Sequence, residues 1–414
     1  MEGTMTPPQS VPTGDANLGA LQGVRILDFT HVYQGPVCTQ LLADFGADVI
    51  KVERPGTGDW SRQWGPFVGD VSLPYAGLNR NKRSLALNLK DERGLAIMHK
   101  LVTRSDVLVH NFRPGAMEKL GLGYDDARKL NPRLVYATSS GWGDEGPYVE
   151  RGRGGHDMMA RATSGLFDGV DKFGQPAPAG ISADYVAGLL LGQAILIALL
   201  ARERTGEGQC VTTDLLSAGF HANTWNGTQQ LNPDRIDREG HIGAAEKALR
   251  RVYRTADDYI ELSPTFSPTG FQDLALALGL DDLPEDPRFS TNDALLAHRE
   301  ELNQIVAARF AEQTTSAWMA QLEPQGILCA EVKTFEQAAE DEQVHANNMV
   351  IDLQHPRAGT LKVQGTPIRM SETPSHIDRA PPDLGADGRQ ILAELEYDPG
   401  EIDVFASDGV FDEE

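Results

Sequence analysis

Residues Gly23–Glu53 read GVRILDFTHVYQGPVCTQLLADFGADVIKVE. Gly23–Phe29 is a short apolar run of strand type. Pro36–Phe45 has helical spacing, with Val37, Leu41, Leu42 and Phe45 on one side and Gly46 as a stop. Ala47–Glu53 is a second strand. The three pieces make one βαβ unit. The pattern recurs downstream. Glu92–Thr103 reads as helix and Asp106–Val109 as strand; Tyr124–Leu130 reads as helix and Leu134–Thr138 as strand. Strands that alternate with helices predict an α/β fold, a largely parallel sheet with helices on both faces. The Rossmann-like class is the default for such a pattern. None of these turns carries GxGxxG, so no dinucleotide site is indicated.

Further along, Tyr185–Ala201 is the most apolar run. It contains Gly188, Gly192 and Gln193 and ends at Arg202, which predicts a buried helix rather than a bilayer span. Gly206–Gly208 ends it, and Gln209–Thr213 can form another strand. Asn223–Leu249 is polar, with Gly227, Pro233 and Gly240, and reads as a loop or linker. Tyr259–Leu262, the helical stretches Thr269–Leu278, Ala297–Gln313 and Ser316–Leu322, and Gly326–Val332 predict a smaller α+β domain. Met349–Leu353 and Gly359–Val363 read as strands again. The expected organisation is a flexible tail over 1–20, a large domain over 21–218, a linker and small domain over 219–340, and a return segment over 341–414 that completes the large domain and ends in an acidic tail.

At 414 residues the chain exceeds what one core usually serves, which agrees with two domains. Apolar residues make up 40% and charged residues 23%, an ordinary globular balance. The formal charge of −23 repels phosphate backbones and anionic lipid, so neither nucleic acid nor a membrane surface is an expected partner. Three dispersed cysteines, Cys38, Cys210 and Cys329, make no disulfide framework and fit a reducing cytoplasm. No HExxH or close His/Cys cluster suggests a metal, and there is no Walker A loop or GxSxG elbow.

Four local features could carry chemistry. LDFTHVYQGP (Leu27–Pro36) closes a strand and opens a helix, the place where open α/β sheets hold ligands; His31, Tyr33 and Gln34 lie there. A structural turn explains the same residues equally well. Arg54, Arg62, Arg80, Lys82, Arg83, Arg113, Arg151 and Arg153 form a scatter of cations in an acidic chain, each read as lying in a connection after a predicted strand or beside Gly or Pro. As a group they suit anion recognition, although most single arginines are solvated charge. GRGGHD (Gly152–Asp157) is a glycine-rich loop that delivers His156 and Asp157 to the start of a helix. Asp184, in GISADYVAGLLLGQ (Gly180–Gln193), stands at the N-terminus of the longest apolar helix. It reads either as a helix-capping acid or as a carboxylate poised as a nucleophile towards a thioester.

Taken together these segments resemble the class III coenzyme A transferases, the family of formyl-CoA:oxalate and carnitine CoA-transferases that also holds α-methylacyl-CoA racemase. The resemblance runs from Leu21 to about Leu395. It is carried by Leu27–Asp59 (LDFTHVYQGPVCTQLLADFGADVIKVERPGTGD), NKRS (Asn81–Ser84), NFRPG (Asn111–Gly115), YATSSGWGDEGP (Tyr136–Pro147), RTGEGQ (Arg204–Gln209) and VYRTADDYI (Val252–Ile260), in that order. It implies a Rossmann-like large domain built from both chain ends, a small domain from the middle, and a homodimer of interlocked rings.

The resemblance also implies site residues. Asp184 matches the family's catalytic aspartate. His31, Val32, Arg54, Asn111, Phe112 and Arg153 match positions that hold CoA, and Lys82, Arg83 and Arg113 join them on charge grounds. Tyr33, Gln34 and Asp157 are expected at the substrate. Tyr33 departs from the Gln of formyl-CoA-type enzymes, and the stretch near Gly240–Ala248 has only Gly240 and Gly243 where they carry a glycine run. The expected reaction moves CoA from an acyl-CoA donor to a small carboxylic acid through Asp184, with CoA entering as substrate and no permanently bound cofactor. The competing expectation is racemisation of an α-methylacyl-CoA by His156 and Asp184 as an acid–base pair.

Overall fold

The computed structural model describes residues 19–167, 169–171, 174–178, 180–233, 248–263 and 269–413. Most of the expected N-terminal tail and of the Gly240–Ala248 stretch lies outside them. The chain forms two compact units, Met1–Leu231 with His345–Glu414, and Asn232–Val344.

The first unit is built on one seven-stranded sheet. Its strands are β1 (Arg25–Asp28), β2 (Asp48–Glu53), β3 (Arg83–Leu87), β4 (Val107–His110), β5 (Val135–Ser140), β6 (Cys210–Asp214) and β7 (Phe411–Asp412). They lie in the order β6-β5-β4-β1-β2-β3-β7. The first six are parallel, and β7 closes the β3 edge antiparallel. After β3 the chain returns to the far side of β1, so the order reverses between β1 and β4. In such a sheet the crevice outside the carboxyl ends of those two strands is where a ligand fits.

The strands are apolar because both faces are covered. Alternate residues feed two cores. Leu27, Ile50, Leu85, Leu108 and Tyr136 pack on one face with Ile97, Met98 and Leu101 of the helix Glu92–Thr103. Ile26, Val49, Val107 and Val135 pack on the other with Cys38 and Leu42 of α1 (Gln34–Asp44) and Leu191 and Ile195 of α2 (Ala183–Thr205). The two helices approach closely at Gly188, where a Cβ would lie 2.4 Å from the Gln34 carbonyl oxygen. That contact brings the N-terminal ends of both helices together above the sheet.

Several elements differ from expectation. α2 runs Ala183–Thr205, longer than the predicted Tyr185–Ala201, and it is the one helix among the described residues long and apolar enough to cross a membrane. Only one side of it is buried; Leu196, Ile197 and Leu200 are exposed. β3 has no counterpart in the predicted elements. Asn223–Leu249 is not loop throughout, since Thr224–Gln230 is helical, its turns braced by the Thr224 and Thr228 hydroxyls bonding back to carbonyls. The C-terminal acidic segment is structured as the helices Gly388–Glu394 and Pro399–Ser407 followed by β7.

The second unit has a three-stranded antiparallel sheet, Val252–Arg254, Tyr259–Leu262 and Cys329–Glu331. Ile260 and Leu262 pack there with Phe310 and Trp318 from the helices Arg299–Phe310 and Thr315–Leu322.

Candidate active site at the carboxyl ends of the strands

The connection leaving β1 is held residue by residue. Thr30 covers the buried Asp28 carboxylate with its N–H at 2.8 Å and its hydroxyl at 2.6 Å. The Thr30 carbonyl accepts from Lys51 Nζ at 2.7 Å. The His31 N–H donates to Asn111 Oδ1 and the Asn111 amide donates to the His31 carbonyl, both at 2.9 Å. Asn111 follows β4 directly, so this pair ties the two strands that flank the reversal. The Val32 N–H donates to Asp59 at 3.1 Å. Asp59 is fully buried and sits 2.9 Å from Lys51 Nζ.

Burial opposes ionisation of Asp28, but Lys82 and Lys51 outweigh it and hold the carboxyl down to about 2. Lys82 Nζ lies 3.0 Å from Asp28 and 2.8 Å from Asn79 Oδ1, with no exposure at all. It supports the start of α1 from beneath and cannot reach a ligand, which removes it from the CoA-binding set. Arg83 leaves the set too. It opens β3 in register with Ile50, and its guanidinium turns away from the carboxyl ends of the strands to Asp48 and Glu394, each at 2.7 Å.

An aromatic wall lines the crevice. The His31 ring centroid is 5.4 Å from Phe112 and 6.4 Å from Trp60. Burial, then the Lys51 charge, push the His31 imidazole below its usual range against the pull of Asp59. Phe112 stacks on His110 at 5.9 Å, and its N–H donates to His110 Nδ1. Burial pushes His110 down to about 4, so it is a neutral acceptor there. Beside this wall Asn111, Phe112, Arg113, Trp142 and Arg153 line a cavity of about 190 Å³. The Arg153 guanidinium lies 4.4 Å from the ring centres of both Trp142 and Tyr148. Among the described residues Arg54, Arg113 and Arg153 have no carboxylate partner, whereas Arg62, Arg80 and Arg83 each do. Three uncommitted guanidiniums at the carboxyl ends of β2, β4 and β5 suit an anion.

Asp184 lies in the first turn of α2, which Ser182 caps by accepting from the Tyr185 N–H at 3.3 Å. Asp157 completes that start. One of its oxygens accepts from the Asp184 N–H and from the Ser182 hydroxyl, both at 3.0 Å, and the other pairs with Arg161 at 3.3 Å. Asp157 is thereby engaged in building the helix terminus rather than offered to a substrate. The Asp184 carboxylate accepts no hydrogen bond from the described residues. Burial, then the Asp157 charge, push it up to about 7. Tyr33 faces this corner with its ring 6.4 Å from that of Tyr185. Burial, then Tyr185, Asp184 and Asp157, raise its hydroxyl above the ordinary range. Gln34 is buried, with its amide on the Ser139 hydroxyl. His156 is exposed at the N-cap of the helix Asp157–Thr163 and makes no hydrogen bond to Asp184.

The structure thus gathers Asn111, Phe112, Arg113 and Arg153 around one cavity with the His31 ring against Phe112, whereas Val32 and Tyr33 line a second cavity with Tyr185, the neighbour of Asp184 in the first turn of α2. Asp59 and Lys51, which hold the crevice from below, went unread in the sequence. A lysine inside the apolar strand DVIKVE is a signal for such a pair, because a charge there must be buried with a partner.

Comparison with known proteins places this architecture. A family model described as CoA-transferase family III matches residues 21–388. The chain is 37% identical to an acyl-CoA transferase of Fusarium pseudograminearum, covering 97% of this chain and 90% of that one. It is 36% identical to the succinyl-CoA:glutarate CoA-transferase of Mus musculus, covering 95% and 90%. Among solved structures it is similar to a CAIB/BAIF family protein from Brucella suis, with a TM-score of 0.80 and 30% identity over 92% of this chain and all of that one.

Proposed function

The chain belongs to CoA-transferase family III, and on that premise we propose that it moves coenzyme A from an acyl-CoA to a carboxylic acid with Asp184 as the nucleophile. The observation that carries this reading is the setting of Asp184. It is a half-buried carboxylate that accepts no hydrogen bond from the described residues, and it stands at a helix N-terminus whose N–H is held by Asp157, two residues beyond the Gly155 that lines the cavity of Arg113 and Arg153. A carboxylate that has lost part of its hydration and gained no hydrogen bond is more reactive once ionised.

Asp184 attacks the donor thioester carbonyl, the C–S bond breaks and CoA leaves as thiolate. The thiolate attacks the Asp184 carbonyl of the mixed anhydride, releasing the donor acid and leaving an aspartyl-CoA thioester. The acceptor carboxylate attacks that thioester and expels the thiolate again. Finally the thiolate takes the acceptor acyl group from the new anhydride, which restores the Asp184 carboxylate. Arg54, Arg113 and Arg153 would meet the CoA phosphates, and His31, Val32, Asn111 and Phe112 would seat the rest of the cofactor-like substrate. Tyr33 would face the acyl group. Succinyl-CoA with a short dicarboxylic acid is the first pair to test, by analogy with the mouse relative.

The reading extends to the assembly: a Rossmann-like large domain, a small domain that corresponds to Asn232–Val344 rather than the expected 219–340, and an interlocked homodimer in the cytoplasm. The exposed Leu196, Ile197 and Leu200 on α2 support a second copy as the cover of that face. Racemisation is not favoured, because His156 is exposed and unbonded to Asp184, and the Fusarium and mouse relatives carry transferase names.

The test is to incubate the protein with a panel of acyl-CoAs, quench with hydroxylamine, digest, and weigh the peptide that contains Asp184. A hydroxamate on that peptide is expected. An unmodified peptide across the panel, with α-deuterium entering a 2-methylacyl-CoA in heavy water, would replace transfer by racemisation.

A further inference from the structure

Val32 has φ of +71°, a region that a β-branched residue enters only under constraint. The grips on Thr30 and His31 come from Lys51 and Asn111 and leave the Val32 torsion open. Among the described residues the only hydrogen bond made by the Val32 N–H goes to Asp59, at 3.1 Å to Oδ1 and 3.3 Å to Oδ2. Asp59 is itself immobilised, with Lys51 Nζ at 2.9 Å, the Ser61 N–H at 2.9 Å and the Ser61 hydroxyl at 2.8 Å. Tyr33 and the first turn of α1 leave directly from this left-handed residue. Their direction decides how Tyr33 faces Tyr185, the neighbour of Asp184.

We propose that Asp59 is a positioning residue for the acyl-transfer centre: by holding Val32 in the left-handed conformation it sets the approach of Tyr33 and the α1 terminus to Asp184. The role rests on acyl transfer at Asp184. It differs from a purely structural role, in which Asp59 only neutralises the buried Lys51. In that case the identity of residue 32 would not matter.

A double-mutant cycle separates the two, because glycine adopts the left-handed region without steric cost. With valine at 32, Asp59→Ala is expected to lower kcat by roughly tenfold or more, the scale of one strained torsion. In the Val32→Gly background the same substitution is expected to cost less than about threefold. The melting temperature lost through the unpaired Lys51 should be equal in both backgrounds. An equal loss of kcat in both, or no loss in either, overturns the proposal. If Asp59→Ala does not fold, Asp59→Asn keeps an acceptor for the Val32 N–H. It should lower the melting temperature while holding kcat within about threefold, and a tenfold loss of kcat insensitive to Val32→Gly refutes the role. Hydroxamate trapping on the wild-type protein is run alongside. No label there defeats the transfer reading, whereas a label with equal losses defeats only the role of Asp59.

Discussion

Replacing Asp184 by asparagine should remove activity and, at neutral pH, make the protein more stable. The carboxyl is pushed from its ordinary 3.8 to about 7 by burial and by Asp157. Its folded pKa is raised, so the sign is the reverse of a salt-bridged acid. Below pH 3.8 the group is protonated in both states and contributes nothing. Between 3.8 and 7 the unfolded chain gives up the proton while the folded one keeps it, and stability falls with rising pH. Above 7 the penalty is constant. Three pH units at about 1.36 kcal/mol each set a ceiling of about 4 kcal/mol, and the partial exposure of the carboxylate brings the expectation to about 2–4 kcal/mol. Urea unfolding of the wild type and Asp184→Asn at pH 4, 5.5, 7 and 8.5 measures it. The stability difference should grow across the first three points and level off at the last. A difference that does not change with pH, or one that favours aspartate at pH 8.5, would refute the desolvated-carboxylate reasoning.

Other consequences are open to direct measurement. The rate of CoA transfer should rise about tenfold per pH unit up to about pH 7 and level above it if the proposed nucleophile Asp184 reacts in its ionised form; a profile flat from pH 5 to 8 would disconnect this group from the chemistry. Lys82→Met leaves Asp28 buried without its partner and should cost about 3–5 kcal/mol in denaturant unfolding. Arg153→Ala should instead raise KM for the acyl-CoA by about tenfold, with the melting temperature nearly unchanged. Gly188→Ala drives a methyl against the Gln34 carbonyl and should cost about 1–3 kcal/mol, with kcat falling as α1 is pushed from α2.

What could be read from the sequence tracks the strength of the local physical signal. The helices Glu92–Thr103 and Tyr124–Leu130 coincide with their periodic runs, and β1, β2, β4 and β5 overlap their apolar ones with ends shifted by one or two residues. β3 opens on Arg83 directly after Lys82, and both charges looked like ligand groups. A lone sequence cannot say that Asp28, Asp48 and Glu394 will fold onto them. β7 is two residues long and gains its place from pairing with β3, not from any pattern of its own. At the candidate site Asp184, His31 and Asn111 stood out only through the family resemblance, since a helix cap or a structural turn explained the first two equally by position. The role of Asp157 did not, because capping another helix 27 residues on leaves no local trace. Asp59 was hidden in a PGTGD turn whose ordinary reading is a solvated bend.

The edge of the sheet has a bearing on how the molecule comes off the ribosome. Ser84, in β3, donates its backbone N–H to Asp387, 303 residues later in the chain, and β7 follows that acid. Six strands must therefore wait with an unsealed β3 border while the whole of Asn232–Val344 is synthesised. That intervening unit is contiguous and can close its own core as it emerges. The nascent chain thus carries a finished small body and an unfinished large one, with the exposed border the point most in need of chaperone cover until the final helices dock.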